Sequence, residues 1–339
     1  EKNDLNTADL NLLRSANTVG ITAGASTPNW VIKKVYRAME DLPQTPKPNI
    51  GRFLFKIQKM LLLTNLYVSL GAGCLAYACT KLAGMENNLL FFFLSMFYVQ
   101  SMHIINHLTG QKGQQYNDPD RATFYLNHRR ALIGLAVTAL LAGIAVAWAI
   151  GKWTFYIFAL MSLVGISYNF KILPARFQRS KYQRIRDIPG SKVFVVAMAW
   201  AILAVIVPPL STGRQLGWMH LVLFLWAGGL VFARTAFFDI LDMQGDRIVG
   251  RETIALILGE KRLLRILEKL LFGLIAMLAL AAASQLVLPV AFGITLGPLF
   301  FLLLMQAYKN GNMLPGIRLE FLADSHFIMA GLIAFLWPL

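Results

Sequence analysis

Seven stretches of this chain run without a single Lys, Arg, Asp or Glu: 60–80, 87–111, 131–151, 153–170, 193–213, 215–233 and 270–308. A helix needs ~20 apolar residues to cross a hydrocarbon core of ~30 Å. Inside that core every backbone polar group must be bonded within its own segment, so stretches of this length are read as membrane-crossing helices. The last is too long for one crossing, and Pro289 near its centre marks a break, so it counts twice. A final apolar segment, 321–339, carries one acid, Asp324. The sequence thus predicts nine transmembrane helices in an all-α integral membrane protein.

Composition agrees. Only 14% of the 339 residues are charged and 57% are hydrophobic, with a mean hydropathy of +0.56. Soluble domains carry roughly a quarter charged residues, which excludes a water-soluble protein of this size. Thirteen prolines and two cysteines exclude collagen-like, disordered and disulfide-scaffold classes. Cys74 and Cys79 both fall in an apolar segment, which supports neither a disulfide nor a Cys-rich metal site.

The net charge of +15 requires an explanation, because such an excess in a soluble protein would point to nucleic acid. With the N-terminus taken as cytoplasmic, the inside-facing segments hold 28 of the 32 Lys and Arg residues. The outside-facing turns hold three, Lys81, Lys152 and Arg214, and Arg234 lies within an apolar span. This asymmetry follows the positive-inside rule. The positive charge is mostly topological, and nucleic acid is not expected as a partner.

Acids are scarce, so their placement is informative. At the cytoplasmic end of the sixth span the chain reads F-D-I-L-D-M-Q-G-D-R-I-V-G-R-E-T, with Asp239, Asp242 and Asp246 at i, i+3 and i+7. That spacing puts three carboxylates on one helix face. Clustered carboxylates at a membrane edge are costly unless a cation binds them, and oxygen-rich ligands that leave room for phosphates suit magnesium. The alternative is a solvated polar loop.

This motif resembles the second Asp-rich motif of the UbiA-type membrane prenyltransferases, D-x-x-D-x-x-x-D continued by R-x-x-G-x-x-T, from Asp239 to Thr253. Y-N-D-P-D-R at 116–121 and R-I-R-D-I-P-G-S-K at 184–192 are similar to further family pieces. The resemblance covers roughly residues 50–339. It implies a nine-helix bundle that moves a polyprenyl group from its diphosphate to an aromatic or other lipophilic acceptor, with Mg2+ held at Asp239, Asp242, Asp246 and Asn106. The expected partners are the diphosphate donor, that acceptor and membrane lipid. The expected location is a bacterial or archaeal plasma membrane with the active site on the cytoplasmic side.

The family's first motif, N-D-x-x-D-x-x-x-D, is eroded here. Asn106 matches, but the three Asp positions hold His107, Gly110 and Gln114. Asp118 and Asp120 are the nearest acids that can substitute. The loss motivates a rival reading, a degenerate member that binds isoprenoid diphosphate without transferring it. Cations to meet a diphosphate are expected at Arg121 and Arg247, which sit in the matching motifs, and among Lys112, Lys171, Arg176 and Arg234. Arg234 either lines the cavity or snorkels to the interface. His103 and His107, one helical turn apart, are read as cavity-lining polar groups or as ligands for a transition metal or haem. Asp324 and His326 either face the cavity or reach water at a helix end.

The first 50 residues differ in kind. T-A-G-A-S-T-P-N-W at 22–30 reads as a strand-to-helix junction, with Thr27 as cap and Pro28 at the first helical position. The string resembles the C-terminal end of hydroxymethylbutenyl diphosphate reductase, in which the serine corresponding to Ser26 helps hold the substrate diphosphate. A short α/β reductase-like fragment is therefore expected over 1–41, a Pro-rich linker and amphipathic lead-in over 42–59, and the membrane domain over 60–339. The cysteines that ligate the reductase's cluster are absent, and the chain opens on Glu1 rather than Met. The expectation is the last part of a natural fusion, with no reductase activity of its own; in the rival reading it partners the fused reductase.

Overall fold

The computed structural model describes residues 50–337 apart from 86–88, 110–115, 169–184 and 186–187, with scattered positions between 12 and 39. Among the described residues every regular element is helical. The strand-to-helix junction falls largely outside them, Ser26 and Pro28 included. What is described there is a turn closed by the Thr27 amide on the Gly24 carbonyl at 2.9 Å.

Helices α1 (Ile50–Leu63) and α2 (Leu66–Leu82) meet at a 75° bend. Asn65 makes that bend in the left-handed conformation at φ 60°, and its amide group bonds the Tyr125 hydroxyl. The uninterrupted apolar run 60–80 hid this corner. Next come α3 (Leu89–Thr109), the short α4 (Pro119–Asn127), α5 (Arg129–Ile150) and α6 (Lys152–Ser167). The seventh helix, α7 (Ser191–Ser211), carries a π-helical turn at Ile202–Ile206 just before Pro208 and Pro209. A proline removes a backbone donor and displaces the carbonyl one turn back, and the wider turn absorbs that defect. The chain continues through α8 (Trp218–Leu241), α9 (Met243–Ile248), α10 (Ile254–Leu258), α11 (Glu260–Ala283), α12 (Val290–Lys309) and α13 (Ile317–Leu336).

Seven of these helices are long and apolar enough to cross a membrane, and an eighth crossing results if the bent pair is one span. The remaining expected crossing, 153–170, corresponds to α6, an apolar helix of 16 residues. The protein is an integral membrane protein whose outer surface is apolar: Leu141, Leu160, Leu163, Leu280 and Phe335 are all exposed. In water such a surface would mark an aggregation hazard or an interaction site; in lipid it is the solvated face.

Neighbours in sequence pack as neighbours in space. Helix α2 contacts α3, α3 contacts α5, α7 contacts α8, α8 contacts α11, α11 contacts α12, and α13 returns to α2. The C-terminal ends of α3 and α8 and the N-terminal ends of α7 and α13 surround one cavity. The opposite ends carry exposed Trp148, Trp153, Trp218 and Trp337, the amphipathic rings that settle at a membrane interface. There Lys81, almost wholly buried, donates to the Trp337 carbonyl at 3.0 Å.

Candidate active site

The cavity has a volume of about 580 Å³. Asp239, Asp242 and Asp246 all line it, but they do not ride on one continuous helix. Asp239 is on the last turn of α8, Asp242 sits at the break (φ −94°, ψ −1°), and Asp246 belongs to α9. The Asp246 amide still bonds the Asp242 carbonyl at 3.1 Å, so the helical path is kept closely enough for all three side chains to reach the same space.

The rest of the motif punctuates the backbone. Gly250 adopts φ +68°, a conformation that a side chain disfavours. Its amide bonds the Arg247 carbonyl at 3.2 Å, and the next amide, Arg251, bonds the Asp246 carbonyl at 2.9 Å. This paired pattern ends a helix and reverses the chain. Arg251 is thereby brought back over the acids, with Nη1 3.9 Å from Asp246 Oδ1. Arg247, the expected cation, is exposed and does not line the cavity. Thr253 caps α10 by accepting from the Leu256 amide at 3.4 Å.

Two residues that the sequence reading did not single out complete this side. Lys192, in the first turn of α7, donates to Asp239 Oδ1 at 2.7 Å. Asn117 Nδ2 donates to Asp246 Oδ1 at 3.1 Å. Asn117 comes this close because position 245 is glycine: a Cβ there would lie 1.7 Å from Asn117 Oδ1. Both residues stood inside the quoted motif strings, so the sequence signal was present and the assignment was missed. Burial and then the neighbouring Asp242 charge push the Asp246 carboxyl up to about 6.

The other expected residues divide. His103, Asn106 and His107 line the cavity from α3. Arg121 lines it too, held by Asp118 and Glu320, each at 3.2 Å. Asp118 accepts from the Arg121 amide at 3.1 Å as the cap of α4. Asp120 does not line the cavity; it pairs with Lys59 at 3.4 Å, because the helical turn that brings Asp118 inward carries Asp120 outward. Arg234 neither snorkels nor stands alone. It forms a buried bidentate pair with Asp324, Nε to Oδ1 at 2.7 Å and Nη2 to Oδ2 at 3.0 Å, and its guanidinium lies 4.1 Å from the Phe238 ring. His326 is buried away from the cavity, stacked on Phe301 with ring centroids 4.7 Å apart. Gly110, Lys112, Gln114, Lys171 and Arg176 lie outside the described residues.

Among the described residues no three His, Cys, Asp or Glu side chains converge to hold a metal on their own. The donor set nevertheless fits magnesium, which is commonly held by one or two carboxylates and completed by substrate phosphates and water. His103 and His107 find no third ligand of those types in the described structure.

The sequence model of the UbiA prenyltransferase family matches residues 66–316. The chain belongs to that family. A second family model, LytB protein, matches residues 2–40. No curated protein matches the chain by sequence. Among solved structures, this UbiA family member is similar to the apo structure of a UbiA homologue from Aeropyrum pernix K1, with a TM-score of 0.58 at 13% identity over 80% of this chain and 99% of that one. It is also similar to a UbiA homologue from Archaeoglobus fulgidus bound to GPP and Mg2+ (TM-score 0.53, 17% identity, 82% and 97% of the two chains). The same homologue bound to DMAPP and Mg2+ gives a TM-score of 0.51 at 16% identity, over 83% and 98%. At these identities the likeness carries the fold.

Proposed function

We propose that this protein is a magnesium-dependent prenyltransferase that moves a polyprenyl group from its diphosphate to an aromatic or other lipophilic acceptor. The observation that carries the reading is the make-up of one cavity: hard oxygen donors at one end, apolar and aromatic walls at the other. The polar end holds Asp239, Asp242, Asp246, Lys192 and Arg251; the apolar part includes Met102, Val196, Ala199, Trp200 and Phe238. A diphosphate needs the first and an isoprenoid tail needs the second. The solved relatives from Archaeoglobus fulgidus, bound to prenyl diphosphates and Mg2+, support that substrate class.

Asp239, Asp242 and Asp246 are the residues we assign to Mg2+; Asn106, expected beside them, we assign to the diphosphate itself. When bound, the ion neutralises diphosphate charge and so favours departure of the leaving group. Lys192 and Arg251 add fixed positive charge where the leaving oxygen gains negative charge. Helix α7 begins at the cavity, and its N-terminal amides favour the same anion. As the carbon–oxygen bond breaks, the ring faces of Trp200 and Phe238 stabilise the developing allylic cation. The apolar walls keep water from it until the acceptor attacks. Counting the bent pair and α6 as spans gives nine crossings, which supports reading this cavity as lying on the side with the excess of Lys and Arg, the cytoplasmic side.

The eroded first motif motivates a second reading: a binding protein for isoprenoid diphosphates, partnered with a reductase, that performs no transfer. A transfer assay separates the two. Purified protein in nanodiscs is incubated with Mg2+ and radiolabelled prenyl diphosphates of several lengths against a panel of acceptors. Prenylated product that disappears in Asp239→Ala and Asp242→Ala supports the enzyme. Tight diphosphate binding without product from any pair supports the binding protein.

A further inference from the structure

The negative charge of the cavity is unevenly placed among the described residues. Asp239, Asp242, Asp246 and Glu252 come from the α8–α10 segment, with Lys192 and Arg251 as the cations near them among the described residues. The remaining acids of the lining are each taken up by a guanidinium. Asp118 and Glu320 hold Arg121, and Asp324 holds Arg234 through two hydrogen bonds. Helix α3 contributes His103, Asn106 and His107 to the lining and carries no acid of its own.

That part of the lining is therefore poor in the ligands a hard cation requires. Magnesium prefers oxygen ligands, and imidazole nitrogen suits later transition metals. The same three side chains are good partners for a phosphate oxygen: each imidazole carries at least one N–H and the Asn106 amide carries two. His103 and His107 are one turn apart on α3, with ring centroids separated by 6.5 Å, so both present to the same space.

We propose that His103, Asn106 and His107 form a metal-free half of the diphosphate site. They donate directly to phosphate oxygens, and the divalent cation enters only on the Asp239–Asp246 side, one per diphosphate. This inference rests on the prenyl-diphosphate reading above and adds which half of the anion is held without metal.

The test uses the full chain in nanodiscs with methylene diphosphonate as probe and Mn2+ in place of Mg2+, the bound metal being counted by electron paramagnetic resonance. One Mn2+ per chain is expected at saturation. His103→Ala with His107→Ala should weaken diphosphonate binding at least about tenfold, since even one lost hydrogen bond to a charged group is of that scale, and leave the metal count at one. His103→Gln with His107→Gln keeps N–H donors and should restore most of the affinity, which separates a lost contact from a damaged fold. Two Mn2+ per wild-type chain, or a double-alanine variant with unchanged diphosphonate affinity, would overturn the inference and leave the prenyl-diphosphate reading standing. Absence of diphosphonate binding with or without Mn2+ would overturn both.

Discussion

Lys192 Nζ lies 2.7 Å from Asp239 Oδ1, and this pair joins the first turn of α7 to the last turn of α8 at the head of the cavity. Its partners differ in exposure: the Asp239 side chain is 1% exposed and that of Lys192 is 50% exposed. The lysine both compensates a buried carboxylate and presents charge to the cavity. Lys192→Met is expected to destabilise the protein by about 1–3 kcal/mol through the unpaired acid and to weaken diphosphate binding at least severalfold. Lys192→Arg should recover stability more fully than binding, because the guanidinium replaces a point charge with a planar fork. Thermal unfolding in detergent and equilibrium diphosphate binding separate the two effects.

Gly245 and Asn117 make a second, steric prediction. A Cβ at 245 would overlap Asn117 Oδ1 at 1.7 Å, so Gly245→Ala forces the amide away from Asp246. The expected cost is about 1–3 kcal/mol, typical of overpacking, together with weaker divalent-metal binding. Adding Asn117→Gly removes the clash but not the lost hydrogen bond. The double variant should regain stability while its metal affinity stays low, as read by unfolding temperature and metal titration.

The Arg234–Asp324 pair ties α8 to α13 deep beside the cavity. Arg234→Leu leaves a buried carboxylate uncompensated, for which a loss of about 3–5 kcal/mol is expected. Arg234→Leu with Asp324→Leu should recover most of it, since two apolar groups replace a desolvated pair. Chemical unfolding of the three proteins in one detergent forms the cycle that measures this.

Asp246 gives the site a pH dependence. Its carboxyl lies at about 6 in the folded chain, raised first by burial and then by Asp242, against roughly 3.9 when unfolded. Between those values the folded chain holds a proton that the unfolded chain does not. The metal-free protein therefore gains stability from this group as pH falls from about 6 towards roughly 3.9, and above about 6, where both states are ionised, the group's contribution no longer changes with pH. A divalent cation needs the ionised carboxylate, so metal affinity should move the other way and fall as pH drops through about 6. Magnesium titrations on both sides of that value check this, and Asp246→Asn should flatten the dependence.

The parts of this protein that were legible in its sequence are those where a single residue property decides the outcome. In a chain with few acids, Asp239, Asp242 and Asp246 stood out because ionised groups at a membrane edge need a reason to be there. Uncharged runs located the helices for the same reason. What was not legible depended on local backbone turns. The bend at Asn65 lies within an apolar run that gives no periodic warning. Arg247 and Arg251 are four residues apart and would share a helix face, yet the reversal at Gly250 turns the second inward and leaves the first in solvent. Asp118 and Asp120 separate in the same way, one as a helix cap and the other on the outer face. Lys192 required knowledge of which helix end meets Asp239, a tertiary fact that no spacing within one motif contains.

Binding of a non-hydrolysable prenyl thiodiphosphate to the wild-type protein and to Asp242→Asn, with and without Mg2+, tests the assigned site most directly. Binding to the wild type that requires Mg2+ and is lost in Asp242→Asn is the expected result. Binding that is indifferent to Mg2+ and to Asp242, or no binding under any condition, would contradict the assignment of this cavity to a metal-bridged isoprenoid diphosphate.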